Sequence, residues 1–138
     1  MKWLLVLCLA AVLLIGCGIT SASGVTTTPE QVHAAWVEAM KNNNRDALLS
    51  LAAEMDFKTA FVDDNLRSLQ DKLRGTTYGK LQSVDVQPPV DDGAGKLGVS
   101  VWRFEKRPVC YGTSMAQSDG VWKVTSWGVV VERCKGVK

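Results

Sequence analysis

The side chains able to carry acid–base, nucleophilic or metal chemistry are few in this sequence of 138 residues. Its one histidine, His33, stands beside Gln31 and Val32 with no patterned acid near it. A general base needs a neighbour that tunes its pKa and a cleft that holds its substrate. Neither is visible, so His33 reads as a partly exposed residue in the first turn of a helix. Asp63-Asp64 and Asp91-Asp92-Gly93 are acidic enough to suggest calcium. The alternating oxygen ligands and closing Glu of a calcium loop are absent, so these acids read as helix surface and turn. No phosphate-cradling glycine loop, nucleophile elbow or metal-binding His pair is present. The sequence therefore assigns no catalytic residue, no cofactor and no metal ligand.

Cysteine offers more. Trp3 to Ile15 is an unbroken apolar run of 13 residues behind Met1-Lys2. A membrane-crossing helix needs about 20 such residues, so this run has the length of a signal peptide. It ends in Leu14-Ile15-Gly16-Cys17, which resembles the lipobox of bacterial lipoproteins. There the small residue before the cysteine suits the peptidase, and the thiol receives the lipid. The expectation is a signal peptide over residues 1–16 and a mature chain that opens on lipidated Cys17, its palmitate-like acyl chains set in the bilayer. Each buried methylene is worth about 0.8 kcal/mol, so two or three chains anchor a protein where one does not. Gly18 follows where Asp would signal inner-membrane retention, so the outer membrane is expected in an organism that has two. The alternative is ordinary secretion with cleavage after Ser21-Ala22-Ser23.

Cys8 lies in the leader, which leaves Cys110 and Cys134 as an even pair in an oxidising compartment. A disulfide between them is expected; the alternative is two free thiols. Zinc would need two further ligands that the sequence does not supply.

Lys and Arg total 16 against 14 Asp and Glu, and setting Lys2 aside with the leader leaves a net charge of +1. No dense basic stripe marks a nucleic-acid binder. Residues 29–74 lean acidic and residues 75–138 lean basic, an asymmetry that reads as solvated surface.

The elements that must position these residues follow from pattern. Residues 17–28, the cysteine and then Gly18 to Thr28, are small, polar and aperiodic, a tether able to span at most about 36 Å. Thr28-Pro29-Glu30-Gln31 starts a helix by capping, with Pro at its first position. Val32, Trp36, Ala39 and Met40 give it one buried face. Asn44 caps a second helix holding Leu48 and Leu51. Val62, Leu66, Leu69 and Leu73 line a third, which Gly75 ends. Strand patterns then begin. Leu81, Val84 and Val86 mark the first, and a loop follows from Pro88 to Gly95. Leu97, Val99 and Val101 alternate with Trp102 and Phe104 on the opposite face of the second. Cys110, Tyr111, Thr113 and Met115 form the third. A turn at Asp119-Gly120 leads into a last strand from Val121 to about Arg133. Residues 29–138 should thus form a single α+β domain, three helices on a four-strand antiparallel meander. That turn pairs Ser118 with Val121 and sets Cys110 opposite Val129, about five positions from Cys134. A bulge or a fold-back of the C-terminus would be needed to join the cysteines.

Thr28-Pro29-Glu30, Asn43-Asn44-Arg45-Asp46-Ala47-Leu48 and Asp119-Gly120-Val121-Trp122-Lys123-Val124, in this order, resemble the nuclear-transport-factor-2-like (cystatin-like) superfamily. Within it the likeness is to small bacterial lipoproteins of unassigned function. The resemblance implies a cone in which a curved sheet wraps the first helix and can leave a pocket at one end. The fold hosts enzymes, ligand binders and interaction modules alike. Asp56, Tyr78 and Tyr111 are the residues that such a pocket would draw together.

Trp36, Trp102, Trp122 and Trp127 are the remaining rich feature. With Tyr111, the last three make a candidate surface for a small apolar ligand or another envelope protein. The plain alternative is core packing beneath the sheet. The expectation is a non-enzymatic binding or interaction module held at the membrane, with a small-ligand carrier or enzyme as the alternative. A buried pocket with two or more convergent polar side chains would favour the carrier, and one filled by Trp and Leu the interaction module.

Overall fold

The computed structural model describes residues 28–135. The leader, Cys17 and the tether up to residue 27 lie outside them. Three helices, α1 (Pro29–Lys41), α2 (Arg45–Leu51) and α3 (Lys58–Arg74), precede five strands. The strands are β1 (Leu81–Val86), β2 (Val90–Asp92), β3 (Gly95–Phe104), β4 (Pro108–Ser118) and β5 (Val121–Val129). All pair antiparallel in the order β1-β3-β4-β5, with β2 also beside β3, and the sheet is open. The fold is α+β, as the patterns require.

Local chemistry explains each start and stop. Thr28 Oγ1 accepts from the Gln31 amide at 3.2 Å, and Pro29 fills the first helical position, where no amide is needed. Asn44 Oδ1 caps α2 through the Ala47 amide at 3.1 Å. Asp119 and Gly120 both take positive φ, which gives the β4–β5 hairpin a twist that matches its strands, and Ser118 pairs with Val121.

Three expectations change. The loop between Pro88 and Gly95 contains β2, whose short backbone pairs with β3 although its side chains are exposed, so the sheet has five strands rather than four. The last strand stops at Val129, and Val131–Cys134 forms a 3-10 turn. The register conflict between the cysteines is resolved by both devices at once. A bulge beside Ser114–Met115 moves Val129 opposite Tyr111, and the Val130 amide then donates to the Cys110 carbonyl at 2.9 Å. From there the chain folds back over the sheet. Gly112 makes room, since a Cβ there would lie 2.8 Å from Val130 Cγ1. Cys110 and Cys134 are joined in a disulfide, their Cα atoms 5.6 Å apart.

The sheet carries two apolar clusters. On the helix side, Val32, Trp36 and Met40 of α1 and Val62, Leu66 and Leu69 of α3 pack on Trp102, Phe104, Tyr111, Met115, Val124 and Trp127. On the other side, Val99, Val101 and Cys110 are buried beneath Leu97, Val130 and Cys134.

Candidate functional site

The aromatic residues nominated as a surface lie mostly inside. Trp102 is 0% exposed, Tyr111 2% and Trp127 8%, and only Trp122 is half-buried at the edge of the core. The alternation that put Trp102 opposite Val99 and Val101 is correct, but that face is the one the helices cover. Tyr111 stacks flat on Trp127 with ring centroids 4.1 Å apart and meets Trp102 edge-on at 5.8 Å. Burial pushes the Tyr111 hydroxyl above its usual pKa, so it stays neutral. These three residues are core, not a docking surface.

His33 also differs from expectation: it is buried, not partly exposed. Its ring lies against Gly98, where a Cβ would approach ring atoms to 2.4 Å, and its Nε2 is 3.2 Å from the Val99 carbonyl oxygen. Burial holds its pKa below the ordinary value, partly offset by that hydrogen bond, so the ring is neutral and donates to Val99. Asp56, Tyr78 and Tyr111 stay apart in role. Asp56 is exposed in the turn before α3, Tyr78 tilts on Phe104 at 5.5 Å, and Tyr111 belongs to the aromatic stack. Asp63 pairs with Arg45 at 2.6 Å, which keeps its carboxyl below the usual range. Asp91 pairs with Lys96. No group of three His, Cys, Asp or Glu side chains able to hold a metal occurs among the described residues.

A shallow groove of about 580 Å³ opens where α3 ends and the chain turns into β1. Arg67, Ser68, Asp71 and Lys72 line one wall, Thr77 and Tyr78 the other. A second depression of about 340 Å³ shares Gly75 with it and is lined by Arg74, Lys80, Glu105 and Lys106. The two chain segments that build this end are interlocked. The Glu105 and Lys106 amides donate to the Lys80 and Tyr78 carbonyls, each at 3.0 Å. The Lys80 amide donates to Glu105 Oε2 at 3.0 Å, and Lys106 Nζ to the Thr76 carbonyl at 2.6 Å. The Arg107 guanidinium sits 4.5 Å from the Tyr78 ring centroid, a cation–π contact that fixes both side chains.

Charge is not spread evenly over the domain. Among the described residues, seven Lys and Arg side chains pair with carboxylates. Of the seven that do not, five gather at this end: Lys72, Arg74, Lys80, Lys106 and Arg107. The basic lean of residues 75–138 covers Lys80, Lys106 and Arg107, whereas Lys72 and Arg74 belong to the half that leans acidic. Sequence spacing could not reveal the cluster, because the β1–β3 pairing is what brings residues 74–80 against 105–107.

No family model and no curated protein matches this chain. Its fold is similar to the solution structure of a SEC-C motif containing protein from Rhodopseudomonas palustris. The TM-score is 0.56 at 12% identity, over 80% of this chain and 84% of that one. This finding overturns the resemblance to the nuclear-transport-factor-2-like superfamily and its small lipoproteins. The segments that suggested it are a capped helix start, a capped second helix and an Asp-Gly hairpin, local solutions that unrelated α+β domains reach independently.

Proposed function

We propose that the chain is exported, is carried on acyl chains at Cys17, and acts through a non-enzymatic domain that binds another envelope protein. The outer membrane is its destination in an organism with two membranes. The anchoring half rests on the apolar run Trp3–Ile15 abutting Gly16-Cys17. The binding half rests on one observation: large side chains such as Trp36, Trp102, Leu48, Leu69 and Met115, all fully buried, occupy the space between helices and sheet. That leaves the outside of the domain as the place for recognition, and the residues with chemistry to offer there are at the α3–β1 end.

A second reading, a small-ligand carrier, draws on buried polar atoms that have no hydrogen-bond partner among the described residues: His33 Nδ1, Trp36 Nε1, Tyr111 Oη, Thr113 Oγ1 and Trp127 Nε1. Buried polar groups are normally paired, so such atoms are where a small polar molecule would bind.

Mass spectrometry on protein extracted from its own membranes separates these readings. The interaction module predicts a polypeptide starting at Cys17 with acyl mass added and no further bound mass under native conditions. A constant extra mass lost on unfolding would establish the carrier. A free polypeptide starting at Gly24 would refute the anchor.

A further inference from the structure

We infer that the α3–β1 end is a docking site for an acidic polypeptide segment, a reading that rests on the membrane-held interaction module proposed above. Five cations without carboxylate partners gather there, and among the described residues the acids that line this end outside ion pairs are Asp71 and Glu105. Glu105 already accepts from the Lys80 amide, which uses part of its acceptor capacity. Clustered like charges raise each other's free energy, and a ligand bearing carboxylates relieves that repulsion. The interlocked segments hold these cations on a fixed frame, so less ordering remains to be done on binding.

Surface chemistry selects the kind of partner. A bilayer is gripped by basic residues together with apolar side chains that insert. The exposed large hydrophobic residues among those described, Phe57, Val86, Val90, Val129 and Val131, do not line this end. It also lies at the opposite end of β1 from the start of α1. Glu30 and His33, in the first turns of α1, lie beside Val86, Gln87 and Pro88 at the far end of β1. Lys80 stands at the near end of that strand, six residues or about 20 Å away. The acids Asp64 and Asp71 on the α3 wall suit a segment whose carboxylates are interspersed with hydrogen-bond donors, such as a Glu-Gly-Ser-rich peptide.

The test uses the full chain in nonionic detergent and a fluorescent peptide of alternating Glu and Gly, read by anisotropy. Arg74 and Lys80 make no side-chain contact that the fold needs, so Arg74→Glu with Lys80→Glu should leave circular dichroism unchanged. The pair should weaken peptide binding at least tenfold. Lys123→Glu with Arg133→Glu, the other two described cations without a carboxylate partner, should change it less than twofold. Equal weakening by both pairs, or no binding of the peptide by the wild type, overturns the site. Vesicles containing phosphatidylglycerol form a separate arm with Cys17→Ser protein: capture by them that Arg74→Glu and Lys80→Glu abolish would show a membrane-binding face instead. The acyl mass on Cys17 is measured on the same wild-type sample, so a failed anchor and a failed docking site are told apart.

Discussion

The two faces of the sheet are held by different means. Strands β3 and β4 send alternate residues to each side, and both sides are apolar. Under the helices, Trp102, Tyr111, Met115 and Trp127 meet three helices, and burial of large side chains supplies the stability. On the outer side, Val99, Val101 and Cys110 have only Leu97, Val130 and the short turn ending at Cys134 above them, and a covalent bond does what area does inside. An apolar run on both faces of a strand thus needs two covers, and this chain gives three helices to one and a four-residue turn to the other.

The comparison ranks the expected effects. Trp102→Ala should cost about 3–5 kcal/mol, because it empties the centre of the helix-side core, and a urea midpoint would show it. Reduction of Cys110–Cys134, or Cys134→Ser, should cost somewhat less, about 3 kcal/mol for a loop of 24 residues. The helix-side core should survive it, with the tryptophan fluorescence maximum unmoved. If reduction instead unfolds the domain as thoroughly as Trp102→Ala does, the two faces are not separate in energy. Intact mass with and without reductant should differ by about 2 Da, since reducing one disulfide adds two hydrogens.

His33 gives a smaller and pH-dependent effect. Its folded pKa lies below the ordinary 6.5 of a histidine because it is buried. Unfolded His33 therefore takes up a proton as pH falls through 6.5 while the folded residue resists it. The neutral ring's contribution is fully present above that pH and is lost progressively below it. Denaturation midpoints between pH 7.5 and 5 should fall, and His33→Gln should flatten the part of the slope due to this residue. An unchanged slope would mean that the ring is not buried in solution.

Much of this was legible beforehand, and the rest was hidden for physical reasons. Helix starts at Thr28 and Asn44 and the Asp119-Gly120 turn are local, set by side chains within a few residues of the backbone they cap. Alternation in β3 was equally plain. Which of its faces lies under the helices was not, since Val99 and Trp102 are both apolar; that ambiguity put Trp102 and Trp127 on a surface. His33 was misplaced because its burial depends on Gly98, distant in sequence, although an isolated glycine in a strand is itself a sign of close approach. The cationic end was invisible for the same reason: its members come from α3, the β1 approach and the β3–β4 turn.

The molecule divides into an interior that stabilises and an end proposed to bind. Measuring stability and Glu-Gly peptide affinity on the same two variants tests that division most directly. Trp102→Ala should lower the urea midpoint sharply while its folded fraction binds the peptide within twofold of wild type. Arg74→Glu with Lys80→Glu should keep the midpoint and lose at least tenfold in affinity. Loss of affinity in folded Trp102→Ala, with the charge-reversed pair binding normally, would contradict the account and move recognition to the interior.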